Sequence, residues 1–136
     1  FVRTLILAVA WVLAWGTGPA IAEEVRVTLS GEQEVPPVTT SAKGTGVFTI
    51  GKDMSIKGTV TTSGVNGIAA HIHMAPPGEN GPPVITLVKV SENVWSTPDD
   101  AKLTDDQYEK FRAGYLYVNV HSEAHRSGEI RGQLNP

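Results

Sequence analysis

Cysteine is absent from the 136-residue chain. This absence excludes a disulfide framework, a thiol nucleophile and a thiolate metal site, so a single core must stabilise the fold. Basic residues are few as well, with 11 Lys and Arg against 14 Asp and Glu, and they form no basic stripe. A nucleic-acid partner is therefore not expected. The glycines form no phosphate-binding fingerprint and no serine lies in a nucleophile-elbow pattern, so binding is favoured over catalysis.

Long apolar runs are also scarce, apart from one at residues 4–15 that follows Arg3. This run is shorter than the about 20 residues that a spanning helix needs, and an Ala-x-Ala pattern follows at residues 20–22. The sequence therefore predicts a signal peptide at residues 1–22, a mature domain at residues 23–136 and a periplasmic or secreted protein with no membrane span after cleavage. The alternative is a retained membrane anchor, which the intact mass of the exported protein would distinguish.

What the chain does have is 14 Gly, 9 Pro and many short runs that alternate between apolar and polar residues. Such runs predict short strands joined by turns, at residues 25–29, 44–50, 54–61, 67–74, 84–90, 115–121 and 128–134. The period becomes helical only near residues 103–112, where Thr104 is a suitable N-cap and Gly114 suits the C-terminal end. We expect an all-β fold, an antiparallel β-sandwich or Greek-key barrel, with one short helix.

Three of the 4 histidines lie in two of these predicted strands. His71 and His73 are two residues apart, so their side chains leave a strand on the same side, and His121 lies in a later strand. Three imidazoles without a thiolate are suitable ligands for Cu(II) or Zn(II). His125 could add a fourth nitrogen, but we expect it in a solvated loop. Trp95 belongs either to the core or to a binding surface.

The alternation also predicts which way the histidines point. His71 and His73 lie opposite Ile72, and His121 lies opposite Val120, so all three point away from the apolar core. The alternative to a metal site is therefore a set of hydrogen-bonding histidines that brace loops, for example through Asn119 and Glu129. The carboxylates show no pairing, and we expect them to be solvated; they include Glu32, Glu34, Glu79 and Glu129.

Several short motifs occur together in a specific order. They are Leu-Ser-Gly at residues 29–31, Glu-Val-Pro-Pro-Val at 34–38, Gly-Thr-Gly at 44–46, Ala-His-Ile-His at 70–73, Gly-Glu-Asn-Gly-Pro-Pro-Val at 78–84, Leu-Thr at 103–104, and the segments 113–121 and 128–133. With this order the mature chain resembles the CHRD domain, which is repeated in the secreted growth-factor antagonist chordin and occurs singly in exported bacterial proteins. The resemblance implies an all-β extracytoplasmic module. The ligand of this module is either a metal ion or an envelope or extracellular protein partner. The resemblance does not define an activity.

A weaker resemblance links the His-x-His strand and the later histidine to the copper site of copper–zinc superoxide dismutase. It implies a dismutase-like enzyme with His71, His73 and His121 as copper ligands and Arg131 as a guiding cation. However, the chain lacks the cysteine pair and a zinc loop rich in His and Asp. The sequence thus leaves three functions open: a copper- or zinc-binding module, a structural or protein-interaction module without metal, and a copper-dependent dismutase-like enzyme.

Overall fold

A computed structural model describes residue 10 and residues 22–136 of the chain. Nearly all of the predicted signal peptide at residues 1–22 lies outside the described residues, so its presence and its cleavage stay predictions. Within the part that is described, no helix is both long and apolar enough to span a membrane.

The described chain is dominated by one sheet of nine strands, all paired antiparallel. In chain order the strands are β1 (Glu23–Ser30), β2 (Lys43–Ile50), β3 (Ile56–Ser63), β4 (Gly67–Met74), β5 (Pro83–Thr86), β6 (Val88–Ser91), β7 (Val94–Ser96), β8 (Leu116–Ser122) and β9 (Ile130–Leu134). In space they follow the order β5-β4-β8-β9-β1-β2-β3-β7-β6. The predicted antiparallel all-β fold is confirmed, and the hairpin of β2 and β3 lies where alternation predicts it.

The two edges of the sheet meet, so the sheet forms a nearly closed barrel. β5 and β6 are the two edge strands in space, yet only Leu87 separates them along the chain. The backbone N–H of Leu87 donates to the Ala70 carbonyl of β4 at 2.9 Å. The prediction of a continuous strand over residues 84–90 is therefore wrong, because the chain crosses from one sheet edge to the other at Leu87.

The hydrophobic core fills the inside of this barrel. Ile72 of β4, Val118 of β8 and Ile130 of β9 are each 0% exposed, as the alternation within each strand requires. Trp95 is 3% exposed and belongs to the same cluster, which places it in the core rather than on a binding surface.

The helix α1 (Asp105–Arg112) covers one end of the core. Thr104 and Gln107 form a capping box, in which each side chain accepts the backbone N–H of the other residue. Phe111 is 0% exposed, and Gly114 adopts a φ of 80° just after the helix, where glycine avoids the strain of a Cβ atom. The single short helix predicted near residues 103–112 is confirmed.

β8 differs from the other strands because all seven of its residues are buried. Its inner face carries apolar side chains, whereas its outer face carries Tyr117, Asn119 and His121. The loops at residues 31–42 and 75–82 lie over this outer face, and they meet where the Asn80 side chain donates to the Val35 carbonyl at 2.7 Å. The barrel therefore has a buried polar layer outside its apolar core.

Candidate metal centre

The three predicted histidines come together in this polar layer. His71 and His73 lie on β4, and His121 lies on the neighbouring strand β8. One ring nitrogen from each side chain lies within 4.8 Å of the other two. His71 and His73 are partly buried and His121 is 9% exposed, while His125 lies in a turn outside the cluster. As predicted, the rings point away from the barrel core.

His73 is fixed on two sides. Its Nδ1–H donates to the Gly81 carbonyl at 2.9 Å, and its ring stacks on Tyr117 with a centroid distance of 4.8 Å and an interplanar angle of 3°. The Arg131 guanidinium lies 3.5 Å from the Tyr117 centroid, so the tyrosine is held between a cation and an imidazole. The Nε2 atom of His73 is buried and has no hydrogen-bond partner among the described residues.

His121 is oriented by a second loop carbonyl. Its Nδ1–H donates to the Arg126 carbonyl at 2.8 Å, and its Nε2 lies 3.0 Å from His71 Nδ1. Because a carbonyl can only accept, the neutral ring of His121 carries its hydrogen on Nδ1 and accepts at Nε2. The hydrogen between the two rings therefore belongs to His71 Nδ1.

Burial favours the metal-binding, neutral form of His71 and His73. Desolvation is the main cause that lowers the pKa of His71, and the nearby His121 and His73 lower it further. Desolvation also lowers the pKa of His73, against the raising effect of its hydrogen bond to Gly81. A lowered histidine pKa keeps the ring neutral to a lower pH, and only the neutral ring offers a lone pair to a metal ion.

Arg131 does not have the role that the dismutase resemblance implies. It is 1% exposed, and its guanidinium donates to the carbonyls of Glu79 and Pro76 at 2.8 and 3.3 Å and to Gln133 Oε1 at 3.1 Å. The prediction of a guiding cation is wrong, because this guanidinium is turned into the loop that covers the site instead of towards solvent.

The expectation of solvated carboxylates is wrong for two residues. Glu129 is 7% exposed and accepts hydrogen bonds from Ser122 and Thr40 at 2.7 and 2.8 Å, so it ties the loop at residues 31–42 to β8. Glu34 is 4% exposed, and its burial raises its pKa to about 7 against the lowering effects of Asn119 and Arg131. Glu34 belongs to the loop at residues 31–42 and points from it towards Asn119 of β8, and Glu129 lies beneath the same loop, bonded to Thr40.

The sequence does not reveal that Asn119 is buried beside the histidines. Asn119 faces His71 across β4 and β8 and lies two residues from His121 on the same face, and it is 2% exposed. Alternation predicts the face on which Asn119 lies. Its burial depends on the loops at residues 31–42 and 75–82, which no local pattern reveals.

A nearly closed antiparallel barrel with a buried polar layer around three histidines defines a small all-β module with a candidate metal centre. A family model, the CHRD domain, matches residues 25–134, which is most of the chain and includes all three histidines. The chain belongs to the CHRD domain family, as the resemblance in its motifs predicted. Comparison with curated proteins and with solved structures found no match.

Proposed function

We propose that this CHRD domain is a metal-binding module that holds Cu(II) or Zn(II) through His71, His73 and His121. The observation that carries the proposal is the convergence of three ring nitrogens within 4.8 Å on the adjacent strands β4 and β8. A set of three imidazoles is suitable for both ions, and copper has the higher intrinsic affinity for nitrogen ligands.

The outer hydrogen bonds of the rings support this function. A metal-binding histidine typically donates its second ring N–H to a carbonyl or a carboxylate, which fixes the orientation of the ring. His73 and His121 both make such a bond, to the carbonyls of Gly81 and Arg126. Two of the three nitrogens are thus oriented before any ion binds, which reduces the entropic cost of forming the site.

The alternative is a purely structural role, with an envelope or extracellular protein as the partner of the module. The hydrogen bonds between His71 and His121 and from His73 to Gly81 favour it, because they brace two strands and a loop without any ion. On this alternative, His73→Ala changes the unfolding temperature while added metal does not. A ligand that binds the folded state must raise the unfolding temperature, so this measurement separates the two functions.

The direct test is calorimetric titration of the protein with Cu(II) and with Zn(II). We expect one site per chain in the wild type. We expect the double variant His71→Ala/His73→Ala to lose more affinity than the about 10–100-fold that the loss of an outer-shell partner costs. His125→Ala is the matched control, because it removes the histidine that lies outside the cluster, and it should bind as the wild type does.

The proposal fails if the wild type and the double variant bind both ions equally and weakly. It also fails if His125→Ala lowers the affinity as much as the double variant does, since the ion would then lie elsewhere.

An export location is a further part of the proposal: residues 1–22 direct the domain to the periplasm or the exterior. The intact mass of the exported protein tests this part, since a mass that includes residues 1–22 contradicts cleavage after Ala22.

A further inference from the structure

A buried amide, the side chain of Asn119, lies beside the three histidines on the outer face of the sheet. Asn119 is opposite His71 in the register of β4 and β8, and His121 follows two residues later on the same face. In an antiparallel pair the diagonal neighbour on the same face lies about 7–8 Å away, so His73 also borders Asn119. The Asn119 side chain also lies within interaction distance of the His73 ring. All three histidines therefore surround one carboxamide.

The hydrogen bonds of this carboxamide assign its orientation. Its Nδ2 donates to Glu34 Oε1 at 3.4 Å and to the Ser127 carbonyl at 3.5 Å, and both of these atoms are acceptors. The Oδ1 atom must therefore point the other way, towards His73. Within the described part of the chain, Oδ1 is buried without any hydrogen-bond donor.

Two lone pairs thus lie together without a donor among the described residues, on Asn119 Oδ1 and on His73 Nε2. Leaving a buried acceptor without a hydrogen-bond donor destabilises the folded protein, and this cost applies to both atoms. A hydrogen atom between them would satisfy both, but the neutral His73 already carries its hydrogen on Nδ1, where the Gly81 carbonyl accepts it. A cation that binds both lone pairs removes the two costs at once.

We propose that Asn119 Oδ1 is the fourth ligand of the metal ion, and that Glu34 is the positioning residue that directs this oxygen into the site. This inference rests on the proposed function of the three histidines and deepens it. The ligand set becomes three imidazole nitrogens and one amide oxygen. An oxygen ligand favours Zn(II) and Cu(II) over Cu(I), which prefers soft thiolate and thioether donors.

The role of Glu34 follows from its position on the far side of the amide. Its Oε1 accepts from Asn119 Nδ2, which opposes a flip that would turn Nδ2 towards His73. In the flipped orientation the amide would donate to His73 Nε2 and block the lone pair that the metal needs. The two orientations therefore predict opposite effects of removing the amide.

The test measures Zn(II) affinity and the visible absorption of the Co(II)-loaded protein for the wild type and Asn119→Ala. We expect Asn119→Ala to bind Zn(II) about 10–100-fold more weakly and to change the Co(II) d–d bands, because the oxygen ligand is lost. Asn93→Ala is the matched control. It removes the same carboxamide from an exposed turn between β6 and β7, outside the loops that cover the histidines, and should leave both readouts unchanged.

Asn119→Asp is a second variant, which tests the inference even if Asn119→Ala does not fold. It retains an oxygen in the same place and adds a negative charge beside Glu34, which a cation relieves, so we expect Zn(II) to bind more tightly than in the wild type. Weaker binding by Asn119→Asp contradicts the inference. So does an Asn119→Ala variant that binds as tightly as the wild type or more tightly, the latter being the result for a flipped amide.

The two proposals fail in different ways. If the wild type binds none of the ions, the metal function itself is wrong. If the wild type binds Zn(II), the double variant His71→Ala/His73→Ala does not, and Asn119→Ala has wild-type affinity and an unchanged Co(II) spectrum, only the fourth ligand is wrong.

Discussion

At the scale of single residues, the hydrogen between His71 and His121 provides a direct signature of metal binding. In the metal-free protein the neutral rings of His71, His73 and His121 all carry their hydrogen on Nδ1. An ion bound at His71 Nδ1 and His121 Nε2 must replace the hydrogen between these atoms. We therefore expect His71 to become the Nε2–H tautomer on adding Zn(II), while His73 and His121 keep their hydrogen on Nδ1.

Long-range ¹H–¹⁵N correlation spectra of the imidazole rings measure these tautomers. The His125→Ala variant serves as the control sample, because it removes the signals of the one histidine outside the cluster. If His71 keeps its Nδ1–H at saturating Zn(II), the ion does not lie between His71 and His121.

At the scale of elements, the loop at residues 75–82 determines how firmly His73 is held. Gly81 accepts from His73 with its carbonyl and donates its N–H to the Tyr117 hydroxyl at 3.1 Å. A Cβ atom at Gly81 would overlap the backbone carbonyl of Met74, so alanine there must displace the loop. We expect Gly81→Ala to weaken Zn(II) binding about 10-fold or more, as the loss of an outer-shell partner does.

Gly78→Asn is the matched control in the same loop. A Cβ atom at Gly78 would have no described atom within 4 Å, and asparagine tolerates a φ of 82° better than other side chains do. Equal losses of Zn(II) affinity in both variants, or no loss in Gly81→Ala, would show that the loop does not position His73.

The separation along the chain between interacting residues determines how much of the structure the sequence alone predicts. The hairpin of β2 and β3, the capped helix α1 and the outward direction of His71 depend on residues close in the chain, so periodicity and capping patterns reveal them. The buried amide of Asn119 depends on Glu34, 85 residues away, because the loop at residues 31–42 covers β8. Arg131 is buried for the same reason, by the carbonyls of a loop 52 and 55 residues away.

At the scale of the whole molecule, the buried Glu34 makes stability depend on pH. Its pKa is about 7 in the folded state against the ordinary 4.5, because burial disfavours the carboxylate. Between these two values the folded state binds more protons than the unfolded state, so this residue lowers the free energy of unfolding as the pH rises. Its stabilising contribution is complete below the unfolded pKa and is lost as the pH passes through the folded pKa.

Glu34→Gln removes this dependence, since glutamine is neutral at every pH and keeps an oxygen that can accept from Asn119. In urea unfolding of chelator-treated protein, we expect the free energy of unfolding of the wild type, relative to Glu34→Gln, to be lower at about pH 8 than at about pH 5, by on the order of 2 kcal/mol. Comparing the two proteins at each pH cancels the contributions of His71 and His73, whose lowered pKa values act in the opposite direction.

Glu32→Gln, at an exposed residue of the same loop, is the control and should show no such difference. A difference of zero for Glu34→Gln would mean that the carboxyl is hydrated in the folded protein, and that the loop at residues 31–42 does not close over β8 in solution.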